Sequence, residues 1–452
     1  RPTPELSFAL RHLHAKAGIN VTASHNPSIY NGYKAYWEDG AQISPEQADV
    51  VSAAIEKVDI FTGVKLVSFE EGKKAGLIRI IGQEVDEAYM KVVLAERIRP
   101  NAIPDVADDF KVVYTPFHGT GRILVPEVLK RAGLKHLYCV PEQMVPDGRF
   151  PTVKSPNPED KAGFALAMKI AEENGCDLLI GTDPDADRAG VIVRASNGEF
   201  VPLTGNQIGV MLLSYIIEAR KLENKLPANA AAVKSIVSTK LADKICEANG
   251  VTMINVLTGF KFIGEKIKEF EETGSHTYIF GFEESYGYLS GTYARDKDAV
   301  CAAMLITEMA AFYRARGKSL YEVLCGIFEK YGYYSEGIGT IVLPGLDGLA
   351  KMSSLMDGLR QNPPKEIAGI KVASVADYKT GLITDADGKT APTGLPKSNV
   401  LFYTLENGDS TVIRPSGTEP KIKLYYLVSD KTKEAAEEKR NAYKAAFEKL
   451  LG

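Results

Sequence analysis

The sequence predicts an α/β protein: three successive α/β units followed by a smaller α+β domain. Short β-rich runs alternate with helical patterns from the start to about residue 330. That rhythm belongs to βαβ units and a mostly parallel sheet. Beyond it the links shorten and strands follow one another, as in an antiparallel domain. The 452 residues, at about 150 per domain, leave room for several cores. The expected domains are 1–107, 108–227, 228–333 and 334–452.

The elements follow in order. "RPTPELSFALRHLHAKAG" reads as a turn and a helix closed by Gly18, running into the strand "INVTA" (19–23). "SPEQADVVSAAIEKV" (44–58) opens with Ser44 as N-cap, Pro45 at the first helical position and Gln47 completing a capping box. Its apolar residues Ala48, Val51, Ala54, Ile55 and Val58 keep helical spacing. A further helix (86–98) is broken by "RPNAIPD". The second unit reads strand 110–115, helix 122–133, strand 136–140, a Pro-rich loop, helix 161–175 and strand 177–181. The third reads strand 232–238, helix 239–248, strand 251–257, helix 260–272, strand 277–282 and helix 298–314. The last domain shows strands at 337–343, 369–378, 399–406, 410–415 and 421–429, with helices near 347–360 and 431–450.

A net charge of −4 gives no bulk attraction to nucleic acid or anionic membrane. No apolar run reaches the ~20 residues of a membrane helix. The five cysteines, Cys139, Cys176, Cys246, Cys301 and Cys325, form no CxxC pair, which points to a reducing, cytoplasmic setting without a structural zinc site. No signal peptide is read. The chain opens on Arg1 in mid-pattern, so its first domain is expected to be incomplete.

In open α/β sheets ligands bind outside the carboxyl ends of strands. Four polar clusters fall there: "ASHNP", "DPDADR", "TGFK" and "FEES". In "DPDADR", Asp183, Asp185 and Asp187 lie at i, i+2 and i+4, and Pro184 argues for a loop. Two unit charges about 4 Å apart repel by about 4 kcal/mol at an effective dielectric near 20. Converging carboxylates therefore need a cation, and an all-oxygen set suits Mg²⁺. A calcium EF-hand loop is excluded, because Arg188 and Arg194 stand where Gly and Glu are required. Arg188 beside a metal loop points to an anionic ligand shared by both, phosphate being the usual one.

Ser24 of "TASHNP" has His25 beside it and Lys34 ten residues on. It is not a G-x-S-x-G elbow. Neighbouring side chains on an extended segment face opposite ways, so His25 need not serve Ser24. A plain Ser/Asn turn is the competing reading. "RPSGTEP" supplies Arg414, Ser416, Gly417 and Thr418, a guanidinium with hydroxyls and amides suited to phosphate, or else a polar hairpin turn. Glu283 and Ser285, at i and i+2, suit sugar hydroxyls. Thr258 and Gly259 of "TGFK" and Lys297 between Asp296 and Asp298 are weaker signals. "HGTG" (118–121) could bind an anion through its amides. His12, His14, His118, His136 and His276 read as surface or loop residues, and Trp37 as core or sheet edge.

Together and in this order, "TASHNP", "DPDADR", "GFEESYG" and "RPSGTEP" resemble the α-D-phosphohexomutase superfamily, in its bacterial-type phosphoglucomutase branch with the phosphopentomutase-like proteins. The resemblance runs through essentially the whole chain. It implies four domains around one cleft, the fourth mobile, and interconversion of glucose 1-phosphate and glucose 6-phosphate through glucose 1,6-bisphosphate. Ser24 would carry the phosphoryl group. Asp183, Asp185 and Asp187, with a phosphoserine oxygen, would hold Mg²⁺. Arg188 would lie near the phosphoserine, and His25, Lys34 and Lys297 would serve as general acid/base candidates. Glu283 and Ser285, with Thr258 and Gly259, would hold sugar hydroxyls. Arg414, Ser416, Gly417 and Thr418 would hold the second phosphate. The expected partner is a small phosphosugar, with no nucleic acid or membrane. Only 23 residues precede Ser24, fewer than the family's pattern. Mannose or pentose specificity, a phosphatase and a non-catalytic phosphosugar binder are the alternatives.

Overall fold

The computed structural model describes residues 1–344, 347–416 and 420–451. Helix α1 (Thr3–His12) leads into β1 (Ala17–Val21), which pairs with β2 (Tyr33–Trp37). This pair is antiparallel, against the expectation of parallel sheet, because a short loop joins the strands where a parallel pair would need a crossover helix. Helices α2 (Pro45–Ile55), α3 (Phe69–Lys74) and α4 (Gln83–Ala95) follow. Ser44 and Gln47 form the expected capping box on α2, yet none of that helix's residues is buried.

The second unit contains β3 (Lys111–Thr115), α5 (Gly121–Arg131), β4 (His136–Cys139), α6 (Ala165–Asn174), β5 (Leu178–Thr182), β6 (Ala189–Arg194) and β7 (Phe200–Leu203). Its sheet runs β4-β3-β5-β6-β7, parallel from β4 to β5 and antiparallel beyond. The third contains α7 (Gly205–Leu222), β8 (Ala230–Ser235), α8 (Leu241–Asn249), β9 (Thr252–Val256), α9 (Phe260–Thr273), β10 (Thr277–Glu283), β11 (Gly287–Leu289), α10 (Ala299–Arg314) and α11 (Leu320–Tyr331). Its sheet order is β11-β10-β8-β9, with only β11 antiparallel.

The last unit is antiparallel as expected. It contains β12 (Tyr333–Val342), α12 (Gly348–Gln361), β13 (Glu366–Ile367), β14 (Ile370–Asp377), β15 (Leu382–Asp385), β16 (Thr390–Pro392), β17 (Leu401–Leu405), β18 (Ser410–Pro415), β19 (Lys421–Asp430) and α13 (Lys433–Leu451). The sheet order is β12-β19-β18-β17-β14-β15-β16, with β13 on β14.

Helix α10 organises the interior. Every residue from Ala299 to Tyr313 is buried. It packs against α4, α5, α7 and α11 and the strands β5, β6 and β11. Tyr89, Val125, Ile216 and Met304 therefore belong to one apolar cluster that runs through the first three units. The last unit has its own cluster, with Met356, Tyr403, Ile413 and Phe447. A smaller patch joins it to the third unit, where Ile236, Val237 and Leu257 meet Tyr378, Val400, Val412 and Tyr425. No described helix is long and apolar enough to cross a membrane.

Met304 is fully buried in the shared cluster. Met304→Ala should cost about 2–5 kcal/mol. Hydrogen exchange should quicken in α5, α7 and α10, while protection in β17–β19 stays as in the wild type. Equal loss across the last unit would show that its core is not separate.

Candidate active site

The loop after β5 carries Asp183, Asp185 and Asp187, all buried. Its backbone is strapped by three helices. The carbonyl of Pro184 accepts from the Thr120 amide (2.7 Å), that of Asp185 from the Thr3 amide (2.8 Å) and that of Ala186 from the Ala299 amide (3.2 Å). Thr120 caps α5, Thr3 opens α1 and Ala299 opens α10. These donors would otherwise be orphaned at helix starts, and the positive helix ends favour the negative loop. The Thr120 hydroxyl adds a second bond to Pro184 O at 2.9 Å. Three of the four amides of "HGTG" are thus engaged within the protein: Thr120 on the loop, His118 donating to Gln143 O and Gly119 to Pro116 O. The expectation of an anion site there is corrected. His118 lies in a loop, as expected, but not on the surface. It is 4% exposed, and its ring bonds Val145 O and Thr152 Oγ1 at 2.8 Å each.

Each carboxylate has one oxygen pinned. Asp183 Oδ1 accepts from the Asp187 and Arg188 amides at 3.1 and 2.9 Å. Asp185 Oδ2 accepts from Lys34 Nζ and Thr3 Oγ1 at 2.8 and 3.0 Å. Asp187 Oδ2 lies 3.0 Å from Lys34 Nζ and 2.9 Å from Lys297 Nζ. Asp185 Oδ1 and Asp187 Oδ1 are buried with no hydrogen-bond partner among the described residues. Ligand atoms of the three residues lie within 4.8 Å of one another. Buried, unpaired carboxylate oxygens at this spacing fit a hard divalent cation.

The charges follow from this packing. Burial and the carboxylates of Asp187 and Asp185 push Asp183 well up. Burial also opposes the charge on Asp187, but Lys297, Lys34 and Arg188 hold it low. Burial works against Lys34 and Lys297 too, yet Asp187 with Asp185 or Asp296 raises both. Lys297 is fixed from behind by Asp296, which accepts from Tyr36 Oη and Gln42 Nε2 at 2.8 Å each.

Ser24 adopts φ +53°. The segment is therefore not extended, and the expected divergence of neighbouring side chains fails here. Ser24 Oγ lies 3.3 Å from His25 Nδ1 and donates to Asp183 Oδ2 at 3.0 Å. Burial and the nearby Arg188 push His25 down to about 3. Arg188 donates to Ser285 O at 3.0 Å, while its buried Nε makes no hydrogen bond among the described residues and lies 3.8 Å from Asp187 Oδ1.

The sugar-type loops meet at Glu283, whose Oε1 accepts from the Gly259 amide at 2.7 Å. Gly259 sits at φ +125°, a conformation that favours glycine. Thr258 Oγ1 is buried without a partner among the described residues. Burial and Glu284 push Glu283 up to about 6. Ser285 contributes its carbonyl to Arg188. Arg414 on β18 reaches Tyr425 Oη at 3.5 Å. The amide of Ser416 donates to Lys421 O at 2.8 Å. Gly417 and Thr418 lie outside the described residues.

Sequence reasoning missed Thr3, Thr120, Glu159, Glu284 and Lys423, and it had Asp296 only as a neighbour of Lys297, with which it forms an ion pair. Lys423 pairs in register with Arg414, and burial together with the fields of Glu284, Arg414, Glu159 and Arg188 sets its lowered pKa. That register was a readable signal, because residues paired across two strands share a face. Nothing local marks the others.

Models of the phosphoglucomutase/phosphomannomutase α/β/α domains I, II and III match residues 1–60, 87–198 and 204–331. The chain belongs to the phosphoglucomutase/phosphomannomutase family. It is 40% identical over 428 residues to the phosphoglucomutase of Staphylococcus aureus strain MRSA252, covering 94% of this chain and 75% of that protein. The fold matches the open form of the Paramecium phosphoprotein pp63/parafusin, a phosphoglucomutase, at TM-score 0.70 and 18% identity, covering all of this chain and 80% of that one. It also matches the Aspergillus fumigatus N-acetylphosphoglucosamine mutase, a structure holding GlcNAc-6P and magnesium, at TM-score 0.56 and 13% identity, covering 100% of this chain and 93% of that one.

Two outcomes follow for this family member. A Cβ on Gly119 would stand 2.3 Å from Pro184 Cα, so Gly119→Ala should cost about 1–3 kcal/mol, read as a lower thermal midpoint. Glu283 holds its proton to about pH 6 when folded, against 4.5 unfolded. Its ionisation therefore opposes folding, and stability falls as pH rises through that window. Glu283→Gln should gain about 2 kcal/mol on wild type between pH 4 and 7. Parallel midpoint-versus-pH curves for the two proteins would contradict this.

Proposed function

We propose that the chain interconverts glucose 1-phosphate and glucose 6-phosphate in the cytoplasm, with Ser24 carrying the phosphoryl group and glucose 1,6-bisphosphate as intermediate. The observation that carries the reading is Ser24 Oγ at 3.0 Å from a buried aspartate triad with two unpaired oxygens. Family membership and the phosphoglucomutase relatives support the chemistry. Asp183, Asp185, Asp187 and an oxygen on Ser24 would hold Mg²⁺, which when bound offsets charge on the transferring phosphoryl group.

Phosphate monoesters react extremely slowly alone, and a serine relay divides transfer into two positioned steps. The phosphoryl–Ser24 bond breaks as the phosphorus bonds O6 of glucose 1-phosphate, and the hydroxyl proton leaves to a base. The bisphosphate turns over, the bond between O1 and its phosphorus breaks as that phosphorus bonds Ser24 Oγ, and O1 takes up a proton to leave glucose 6-phosphate. His25 Nδ1, 3.3 Å from Ser24 Oγ, is placed to take a proton, though burial and the cations around it make it a weak base before the phosphosugar brings its own negative charge. Lys34 and Lys297, kept charged by their aspartates, are suited to donate one or to stabilise the phosphoryl oxygens. The Nε of Arg188, without a hydrogen bond among the described residues, offers a further donor. Glu283, Ser285, Thr258 and Gly259 would hold sugar hydroxyls. Arg414, Ser416, Gly417 and Thr418, joined by Lys423, would hold the phosphate that is not reacting.

Intact mass before and after incubation with Mg²⁺ and glucose 1,6-bisphosphate tests this. Wild type should gain one phosphoryl group and lose it to glucose 1-phosphate. Ser24→Ala should gain none. Equal phosphorylation of both would place the carrier elsewhere.

A further inference from the structure

Of the three straps on the acidic loop, that of Thr3 also reaches a carboxylate. Its amide donates to Asp185 O at 2.8 Å and its hydroxyl to Asp185 Oδ2 at 3.0 Å. Asn20 Nδ2 donates to the same hydroxyl at 2.6 Å, leaving its proton for Asp185. Thr3 is 1% exposed, so water does not compete for these bonds. Lys34 occupies Oδ2 from the other side at 2.8 Å, and Asp185 Oδ1 stays buried and unpaired among the described residues. Asn20 lies on β1, the strand that runs into the Ser24 turn. One short chain of hydrogen bonds therefore ties the strand before the serine to one aspartate of the triad.

We propose that Thr3 is a positioning residue for a cation in the acidic loop: it turns Asp185 so that Oδ1 faces the ion, and it fixes the serine-bearing unit against the loop. The proposal rests on the reading that the triad binds a divalent cation. Without the hydroxyl, Asp185 keeps its lysine but loses the bond that sets the plane of its carboxylate. Outer partners of this kind are worth about 10–100-fold in metal affinity.

Mn²⁺ binding to the full chain, followed by the free-ion signal in electron paramagnetic resonance, tests it without any turnover. Thr3→Val keeps the amide and the volume but removes the hydroxyl. It should weaken Mn²⁺ about 10–100-fold, with a thermal midpoint within a few degrees of wild type. Thr3→Ser, which restores the hydroxyl, should bind within about threefold of wild type, an effect that loss of packing alone would not give. Asn20→Ala reads the same chain from its far end and should weaken binding by a smaller factor, even if Thr3→Val does not fold. Wild-type affinity in Thr3→Val, or in Asn20→Ala if only that folds, overturns the positioning role alone. A serine variant as weak as the valine does the same. Absence of Mn²⁺ binding by the wild type overturns the cation reading, and the role of Thr3 with it.

Discussion

Six residues after β5 set the constraint that the remaining structure answers. Like charges about 4 Å apart repel by about 4 kcal/mol even at an effective dielectric near 20, and here three carboxylates converge in a buried loop. Such a loop would splay unless its backbone were held. It is held by amides at the starts of α1, α5 and α10, one to each of three consecutive carbonyls. The first three units therefore meet where the charge is greatest, and three positive helix ends point at it. Of the three helices, α10 alone is buried without a break, from Ala299 to Tyr313, running from the loop through the shared core.

The side-chain charges complete that balance. Lys34 comes from β2, Lys297 from the turn before α10 and Arg188 from the loop itself. Asp185 and Asp187 each give one oxygen to hydrogen bonds with the protein and keep the other without one, while Asp183 gives one oxygen to the loop amides and the other to Ser24, so the cations and straps orient the carboxylates toward one point. Asp296 carries the pattern one layer out: Tyr36 and Gln42 of the first unit hold the carboxylate that holds Lys297.

The convergence of the acidic loop was legible in the sequence because three aspartates around a proline are costly without a partner. The supports were not legible. Thr3 and Asp185 are 182 residues apart, and no local pattern encodes that contact. The rule of alternating side chains failed at Ser24 because its positive φ brings His25 round to the same side. Helix α7 was passed over although Thr204 and Gln207 form a capping box at its start, a signal as clear as that of α2. Its nearly continuous apolar face hid the helical period, as expected of a helix buried between a sheet and other helices. The strands β6 and β7 extend one sheet and β11 edges another, and their antiparallel pairing depends on turns that the helix–strand rhythm does not report.

The division of cores bears on how two ends of one sugar can be served. The acidic loop, Arg188 and Lys297 belong to units that share one apolar cluster, and the hairpin carrying Ser24 and Lys34 is tied to them through Asp183, Asp185, Asp187 and the Thr3–Asn20 bonds. The turn proposed for the second phosphate belongs to a unit with its own cluster, joined to the rest by a small apolar patch. Lys240 adds a polar tie, donating to Gly408 O and Ser410 Oγ at 2.8 and 2.7 Å. Such a polar tie contributes about 1 kcal/mol per hydrogen bond, far less than a shared core. Movement is therefore cheapest between the cradle and the reacting centre. That is where an intermediate that must present first one phosphate and then the other needs room, while transfer itself needs the serine and the triad held still.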